Sequence, residues 1–270
     1  MSYEPLSFKV IPPSKPHTHT IIFLHGRGST AAHFVHELQI ATDRNNFTLI
    51  DHFPSIRWVL PQTALRPSAR FPGVPVSQWF DTWNINNLAQ REELQLQGIK
   101  ESVASLRPMV KAEVELLDGR HDRVILAGIS QGGATAAHVL LNLEVEGLRP
   151  RLGGLMTFCS RFPFPGRILS ETRAVLGLEG VPSDDTVVRE TPVLWQHCVD
   201  DPLVRIEYGR ELREAFARFG AQVEWKEYPE GGHWIQSPDG IEDAVAWLKR
   251  VVGGGGAENG GGGGESRSCL

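Results

Sequence analysis

A chain of 270 residues, 41% hydrophobic and 22% charged, is long enough to bury a sizeable core and too apolar to stay disordered. Its net charge of −5, with no stripe dense in Lys and Arg, argues against a nucleic-acid partner. No run approaches the ~18 consecutive apolar residues of a membrane span, and MSYEPLSFKVIPPSKP has no basic segment leading into an apolar one, so neither a secretory signal nor a stable membrane anchor is indicated.

Residues 1–19 are rich in Pro and polar groups and read as edge or lead-in structure. Thr20 to Leu24 (TIIFL) is the first clear strand and runs straight into His25-Gly26-Arg27-Gly28. A helix follows from about Thr30 to Thr42, with Ser29 or Thr30 able to cap it. Ile56 to Leu60 is a short strand stopped by Pro61. Residues 61–78 hold four prolines and little periodicity, so a long surface loop is predicted, and loops of that length are usually functional or mobile. It delivers the aromatic cluster Trp79-Phe80-Asp81-Thr82-Trp83. Leu88 to about Leu117 has helical character, with Pro108 as a break or kink. Asp118-Gly119 is a turn.

Val124 to Ala127 is a short β-branched apolar run, the signature of a buried parallel strand. Leu152 to Phe158 is a further strand, followed by a Pro/aromatic loop through Gly166. Residues 167–190 are poorly patterned and read as an insertion. Val193 to Cys198 and Val223 to Tyr228 are strands, Ile206 to Phe219 a helix ending at Gly220, and Ile241 to Val252 the last helix. Strands separated by helices along the whole length give an α/β fold: one mostly parallel central sheet with helices on both faces. Residues 1–252 form that single domain, with its core from about residue 18, and 253–270 form a flexible Gly-rich tail with nothing to bury. Cys159, Cys198 and Cys269 are too few and too widely spaced for a disulfide framework or a zinc site, which points to a reducing, cytoplasmic setting. The Asn46-Phe47-Thr48 glycosylation match is a chance one in that setting.

The chemistry centres on Gly128-Ile129-Ser130-Gln131-Gly132, a Gly-x-Ser-x-Gly turn between a strand and a run of good helix formers, ATAAHVLLNL. A strand that turns sharply into a helix strains its turning residue. Gly128 and Gly132 remove the side chains that would collide there, and Ser130 is left exposed at the tip. The helix behind it aims its free N–H groups and positive dipole end at the site.

A serine hydroxyl needs a base to take its proton and a third group to orient that base. In α/β-hydrolases the order along the chain is Ser, acid, His. Only His138, His197 and His233 follow Ser130. His138 lies two turns down the same helix, about 12 Å away between Cα atoms. His197 sits within a strand that reads as core. His233 lies in a loop just past a strand, where open α/β sheets place their sites, and is the candidate base. Asp200 and Asp201 compete for the acid; Asp201 is favoured because the following proline restricts its backbone and aims its side chain. The backbone N–H groups of Gln131 and Arg27 are placed to donate to an oxyanion.

These residues resemble the acyl-protein thioesterase / phospholipase-carboxylesterase family of α/β-hydrolases. The resemblance rests on His25-Gly26-Arg27-Gly28-Ser29-Thr30, Leu60-Pro61-Gln62-Thr63-Ala64, Trp79-Phe80-Asp81, Gly128-Ile129-Ser130-Gln131-Gly132-Gly133, Asp201-Pro202-Leu203-Val204 and His233, in family order over roughly residues 18–250. It implies a cofactor-independent, metal-free serine hydrolase, with Asp201 as the triad acid and a substrate-binding role for Trp79, Phe80 and Asp81. The substrate implied is a small-molecule or protein-attached acyl ester or thioester, with a short-chain carboxylesterase or lysophospholipase-type esterase as the alternative and a non-catalytic binder on the scaffold disfavoured by the intact Ser, Asp and His. Further candidate walls of the acyl pocket are Phe71, Phe162, Phe164 and Trp234. The chain departs from the family at Arg27, where a small apolar residue is usual, and at Cys198-Val199, where Gly-Asp is usual.

Overall fold

In the computed structural model the residues described are 5–85, 87–145, 147 and 150–254. The Gly-rich tail expected after residue 252 lies outside them from residue 255 on. Among the described residues nine strands form: β1 (Phe8–Ile11), β2 (His19–Leu24), β3 (Ile56–Pro61), β4 (Leu65–Arg66), β5 (Val76–Ser77), β6 (Val124–Ile129), β7 (Gly154–Phe158), β8 (Val193–Cys198) and β9 (Val223–Tyr228). Seven of them make one sheet in the order β1-β3-β2-β6-β7-β8-β9. β1 pairs antiparallel with β3, and every other pair in this sheet is parallel.

β6 lies at the centre, between β2 and β7, and all six of its residues are buried. A strand covered on both faces has no polar side, which is why its sequence reads as a continuous apolar run. The pleat sends alternate side chains to opposite faces. In β2, Ile22 and Leu24 join a core with Ile99, Val103, Leu140 and Phe216 from α3 (Gln95–Glu115), α4 (Gln131–Leu141) and α7 (Ile206–Arg218). Ile21 and Phe23 join the opposite core, with Phe34 and Leu38 of α1 (Ala31–Leu38) and Ile241, Ala244 and Leu248 of α8 (Asp239–Gly253). The doubly covered, mostly parallel sheet expected from the sequence is therefore present.

Several segments differ from their sequence reading. The helix expected from Leu88 begins at Gln95, after one 3-10 turn at Glu92–Leu94, because Arg91 adopts a left-handed φ of 54° that no helix continues through. Pro108 lies inside α3 and does not end it. The lost backbone bond is offset by the buried Val103, Leu106, Val110 and Val114 on either side of it. The 61–78 loop carries the two-stranded β4–β5 pair. Residues 49–52 form α2 (Leu49–His52), started by a reciprocal Thr48–Asp51 capping box. The 167–190 stretch holds α5 (Leu169–Leu176) and α6 (Thr186–Glu190). α5 lacks a clean apolar stripe because one of its buried residues is Arg173, whose guanidinium donates to the carbonyls of Leu141, Pro182 and Asp184.

α3 approaches the 79–80 segment so closely that a Cβ on Gly98 would lie 2.5 Å from the Phe80 Cα. Gly98→Ala should therefore overpack the contact and cost about 1–3 kcal/mol, lowering Tm by about 3–10 °C in a thermal melt. An unchanged Tm would show that the contact is slack.

Candidate active site

Ser130 sits at the end of β6 with φ 55° and ψ −123°, a backbone region that L-residues occupy only under constraint. Its amide donates to the Phe158 carbonyl at 2.8 Å, and its own carbonyl accepts from the Ser160 hydroxyl at 2.8 Å and the Ala134 amide at 3.1 Å. Packing around the turn is at its limit. A Cβ on Gly128 would fall 2.4 Å from the Gly132 carbonyl carbon, and one on Gly132 would fall 2.3 Å from the Leu24 oxygen. The glycines are thus steric requirements of the elbow, as the sequence pattern predicts.

β9 leads into Gly231 and Gly232, at φ 143° and 64°, and these bring the chain round to His233. The His233 Nδ1 lies 2.7 Å from Asp201 Oδ2. Asp201 is buried and its carboxylate is fully engaged: Oδ1 accepts from the Leu203 and Val204 amides at 2.8 and 2.9 Å, and Oδ2 also faces His197 Nε2 at 3.4 Å. Burial alone would raise its pKa, but the hydrogen bonds from His197 and His233, the charge of His233 and the Val204 amide outweigh burial and hold it well below the usual 3.8. An ionised acceptor on Nδ1 fixes the proton there and leaves Nε2 as the basic nitrogen.

Ser130 and His233 line one cleft of about 310 Å³ together with Gly26, Arg27, Gln131 and Trp234. A larger groove, about 840 Å³ and lined by Lys100, Arg107, Lys111 and Glu115, contains none of Ser130, Asp201 and His233, and carries none of this chemistry. Among the described residues no acceptor takes the Arg27 amide, and Gln131, as the first residue of α4, has an N–H with no intrahelical partner. Both amides border the cleft. The loop that presents Arg27 is braced by His25, whose Nδ1 donates to the Gly26 carbonyl at 2.8 Å and whose imidazole burial keeps below its usual pKa.

Trp79, Phe80 and Asp81 occupy a different place from the one the resemblance implies. Trp79 and Phe80 are fully buried and none of the three lines the cleft. They form its backing: Gln131 Oε1 accepts from the Trp79 amide at 2.8 Å, its Nε2 donates to the Phe80 carbonyl at 2.7 Å, and Trp79 Nε1 donates to the His25 carbonyl at 2.8 Å. Asp81 accepts from the Ala69 and Thr82 amides. The next residues along, Thr82, Ile85 and Leu88, reach the cleft instead. Of the aromatic walls expected, only Trp234 lines it; Phe71 is exposed, and Phe162 and Phe164 are buried in the core. His138, set aside as base, is buried and stacks on Phe162 with centroids 5.1 Å apart, its pKa lowered by burial to about 4.

Three residues take places at the site that sequence reasoning did not assign to them. Asp200, weighed and set aside as the acid, accepts from the Gly231 and Gly232 amides at 3.2 and 2.8 Å, so it fastens the loop that carries His233. His197 is in the core strand as expected, yet its Nε2 touches the Val204 carbonyl at 2.7 Å as well as Asp201. α7 passes it so closely that a Cβ on Gly209 would lie 2.3 Å from its Nδ1. Arg161 lines the cleft and is 6% exposed. No sequence pattern marks any of the three, because each acts through a contact more than a few residues away or through a loop closure.

Cys159, His197 and Asp201 bring ligand-type atoms within 4.8 Å of one another. Their capacity is already taken. Asp201 is shared by two imidazoles and two amides, His197 Nε2 is held by a carbonyl, and the Cys159 thiol is pushed up by its hydrogen bond to Cys198 and by burial, which keeps it protonated. This is a hydrogen-bonded cluster and suits no metal ion.

Residues 6–251 match the profile of the phospholipase/carboxylesterase family. Acyl-protein thioesterase 1 of Cryptococcus neoformans var. neoformans serotype D is 26% identical over 254 residues, covering 88% of this chain and 94% of that protein. Carboxylesterase SOBER1 of Arabidopsis thaliana is 27% identical over 195 residues, covering 72% of this chain and 76% of that protein. The crystal structure of Zea mays acyl-protein thioesterase 2 superposes with a TM-score of 0.69 over 91% of this chain and 99% of that one; at 21% identity this likeness concerns the fold.

Two outcomes test the acid loop. Asp200→Ala should lower kcat on a small ester about 10- to 100-fold through misplacement of His233, with Tm falling by less than about 3 °C; full activity would show that the loop holds itself. Because the Asp201 pKa is depressed on folding, its carboxylate stabilises the fold above its usual 3.8, and that contribution is lost as pH falls through the folded value. The stability gap between wild type and Asp201→Asn, from urea unfolding, should therefore shrink steadily below about pH 4. A gap independent of pH would contradict the depressed carboxyl.

Proposed function

The chain belongs to the phospholipase/carboxylesterase family of α/β-hydrolases, and we propose that Ser130, His233 and Asp201 carry its hydrolysis of carboxylic ester or thioester bonds. Ser130 attacks the acyl carbonyl while His233 Nε2 takes its proton, and Asp201 holds the imidazole and stabilises the imidazolium that forms. The Arg27 and Gln131 amides receive the negative charge of the tetrahedral intermediate. Collapse expels the alcohol or thiol, protonated by His233, and leaves an acyl-serine. Water, activated by the same imidazole, then releases the acid. No cofactor is needed at any step.

The single observation that carries this reading is the 2.7 Å contact between His233 and Asp201, with His233 and the strained Ser130 on one cleft. A cleft of about 310 Å³ is at the small end for ligand sites and favours short acyl groups over long lipid chains. Among the described residues no helix is long and apolar enough to cross a membrane. Free thiols at Cys159 and Cys198 support a cytoplasmic location.

Ser130→Ala and His233→Ala should each cut kcat/KM on 4-nitrophenyl butanoate by at least about 10³-fold, with Tm nearly unchanged. Retained hydrolysis in either variant would overturn the assignment, and a collapsed Tm in His233→Ala would make that residue structural. In a chain-length series of matched esters and thioesters, acyl groups of two to six carbons should exceed palmitoyl by about tenfold or more. A palmitoyl optimum would point to a channel beyond the cleft.

A further inference from the structure

The cleft walls hold two guanidinium groups, Arg27 and Arg161, against one carboxylate, Glu37. This is no echo of composition, because the chain as a whole carries −5. Glu37 is occupied by Ser29, whose hydroxyl donates to it at 3.4 Å, and by His33 at 3.3 Å. Arg161 stands one residue from Ser160, which donates to the Ser130 carbonyl, so its backbone is anchored to the nucleophile turn.

Arg161 is 94% withdrawn from solvent, since only 6% is exposed, yet no carboxylate of the described residues lies within 4.0 Å of it. Nη2 donates to Gln95 Oε1 at 2.7 Å, and the guanidinium carbon lies 5.2 Å from the Phe80 ring centroid. Nε and Nη1 have no hydrogen-bond partner among the described residues. Glu92 and Glu211 act on it only at longer range, and Glu92 is itself engaged by the Phe164 amide at 2.6 Å. Burial lowers the Arg161 pKa to about 10, which still leaves it charged at neutral pH. On the other wall, Arg27 Nε donates to Gln78 Oε1 at 2.8 Å, and its Nη2 is buried without a partner.

A buried cation without a counter-ion costs far more than a surface one, and a guanidinium on a cleft wall with N–H donors still free suits a carboxylate or phosphate. Resting on the serine-hydrolase reading, we propose that Arg161 recognises an oxyanion group, carboxylate or phosphate, carried by the ester substrate, and that Arg27 adds to the attraction from the opposite wall. The anion closes the ion pair that the protein leaves open. Its source is either a carboxylate at the far end of a short acyl group, as in a half-ester of a dicarboxylic acid, or a phosphate on the alcohol being released.

The experiment compares kcat/KM for two matched pairs. The first is 4-nitrophenyl hydrogen glutarate against 4-nitrophenyl methyl glutarate; the second is 1-butanoylglycerol 3-phosphate against 1-butanoylglycerol. One anionic ester should be preferred about tenfold or more, mainly through KM, and the preference should weaken as salt rises. The pair that shows it identifies the source. Arg161→Gln should abolish the preference whatever it does to each rate, and Arg161→Lys, which keeps the charge, should restore part of it. Should Arg161→Gln fail to fold, Arg161→Lys and the salt dependence decide. No preference in either pair, or a preference that survives Arg161→Gln, overturns the inference. Ser130-dependent hydrolysis of the neutral esters in the same assay would show that the hydrolase reading stands even then.

Discussion

Everything in this molecule is arranged to hold one residue in a conformation it would not choose. Ser130 is kept at positive φ by the backbone of β6 behind it, α4 in front of it and the Leu24 carbonyl beside it, with gaps too small for a single methyl group at Gly128 or Gly132. Strain of this kind costs of order 1–3 kcal/mol and persists only when the surroundings over-determine it. The surroundings are the buried strands β2 and β6 and their direct pairing through Leu24 and Gly128. Core packing on both sheet faces is therefore spent on aiming one hydroxyl.

The proposed partners of that hydroxyl are held by a different device. β8 and β9 end side by side, and carboxylates tie the loops beyond them. Asp200 fastens the Gly231-Gly232 turn, while Asp201 collects two imidazoles and two amides. Adjacent aspartates thus divide the work: one shapes the loop that carries the histidine, and the other orients its ring. His197 contributes from inside the sheet, its Nε2 3.4 Å from the same Oδ2 that His233 contacts. The same logic explains why Gln131 matters twice, its amide bordering the cleft and its side chain pinning the 79–80 backbone.

What the sequence disclosed follows from how local each cause is. The strands from Thr20, Ile56, Val124, Leu152 and Val193 were legible because double burial writes a continuous apolar run into neighbouring residues, and the edge strand from Val223 was legible because its residues alternate. Ser130, Asp201 and His233 could be nominated from the sequence because the elbow has a steric signature and the order of the partners prunes the alternatives. α5 was not, because Arg173 on its buried face breaks the apolar stripe. α2 was missed although Thr48 and Asp51 spell its capping box. The family resemblance implies a substrate role for Trp79 and Phe80; the structure buries them as the backing of the wall and gives the surface to Thr82, Ile85 and Leu88. Arg161 left no trace, since only the fold reveals that a charged residue in a Pro/aromatic loop is buried without a counter-ion.

The proposed chemistry requires Ser130 to be a nucleophile activated by His233. Covalent labelling with a fluorophosphonate, read as the mass of the intact protein and mapped to a peptide, asks this directly. One adduct per chain on the peptide containing Ser130, formed at least about 10³-fold more slowly in His233→Ala, is the predicted result. An unlabelled wild-type protein, or an adduct on any other residue, would contradict it.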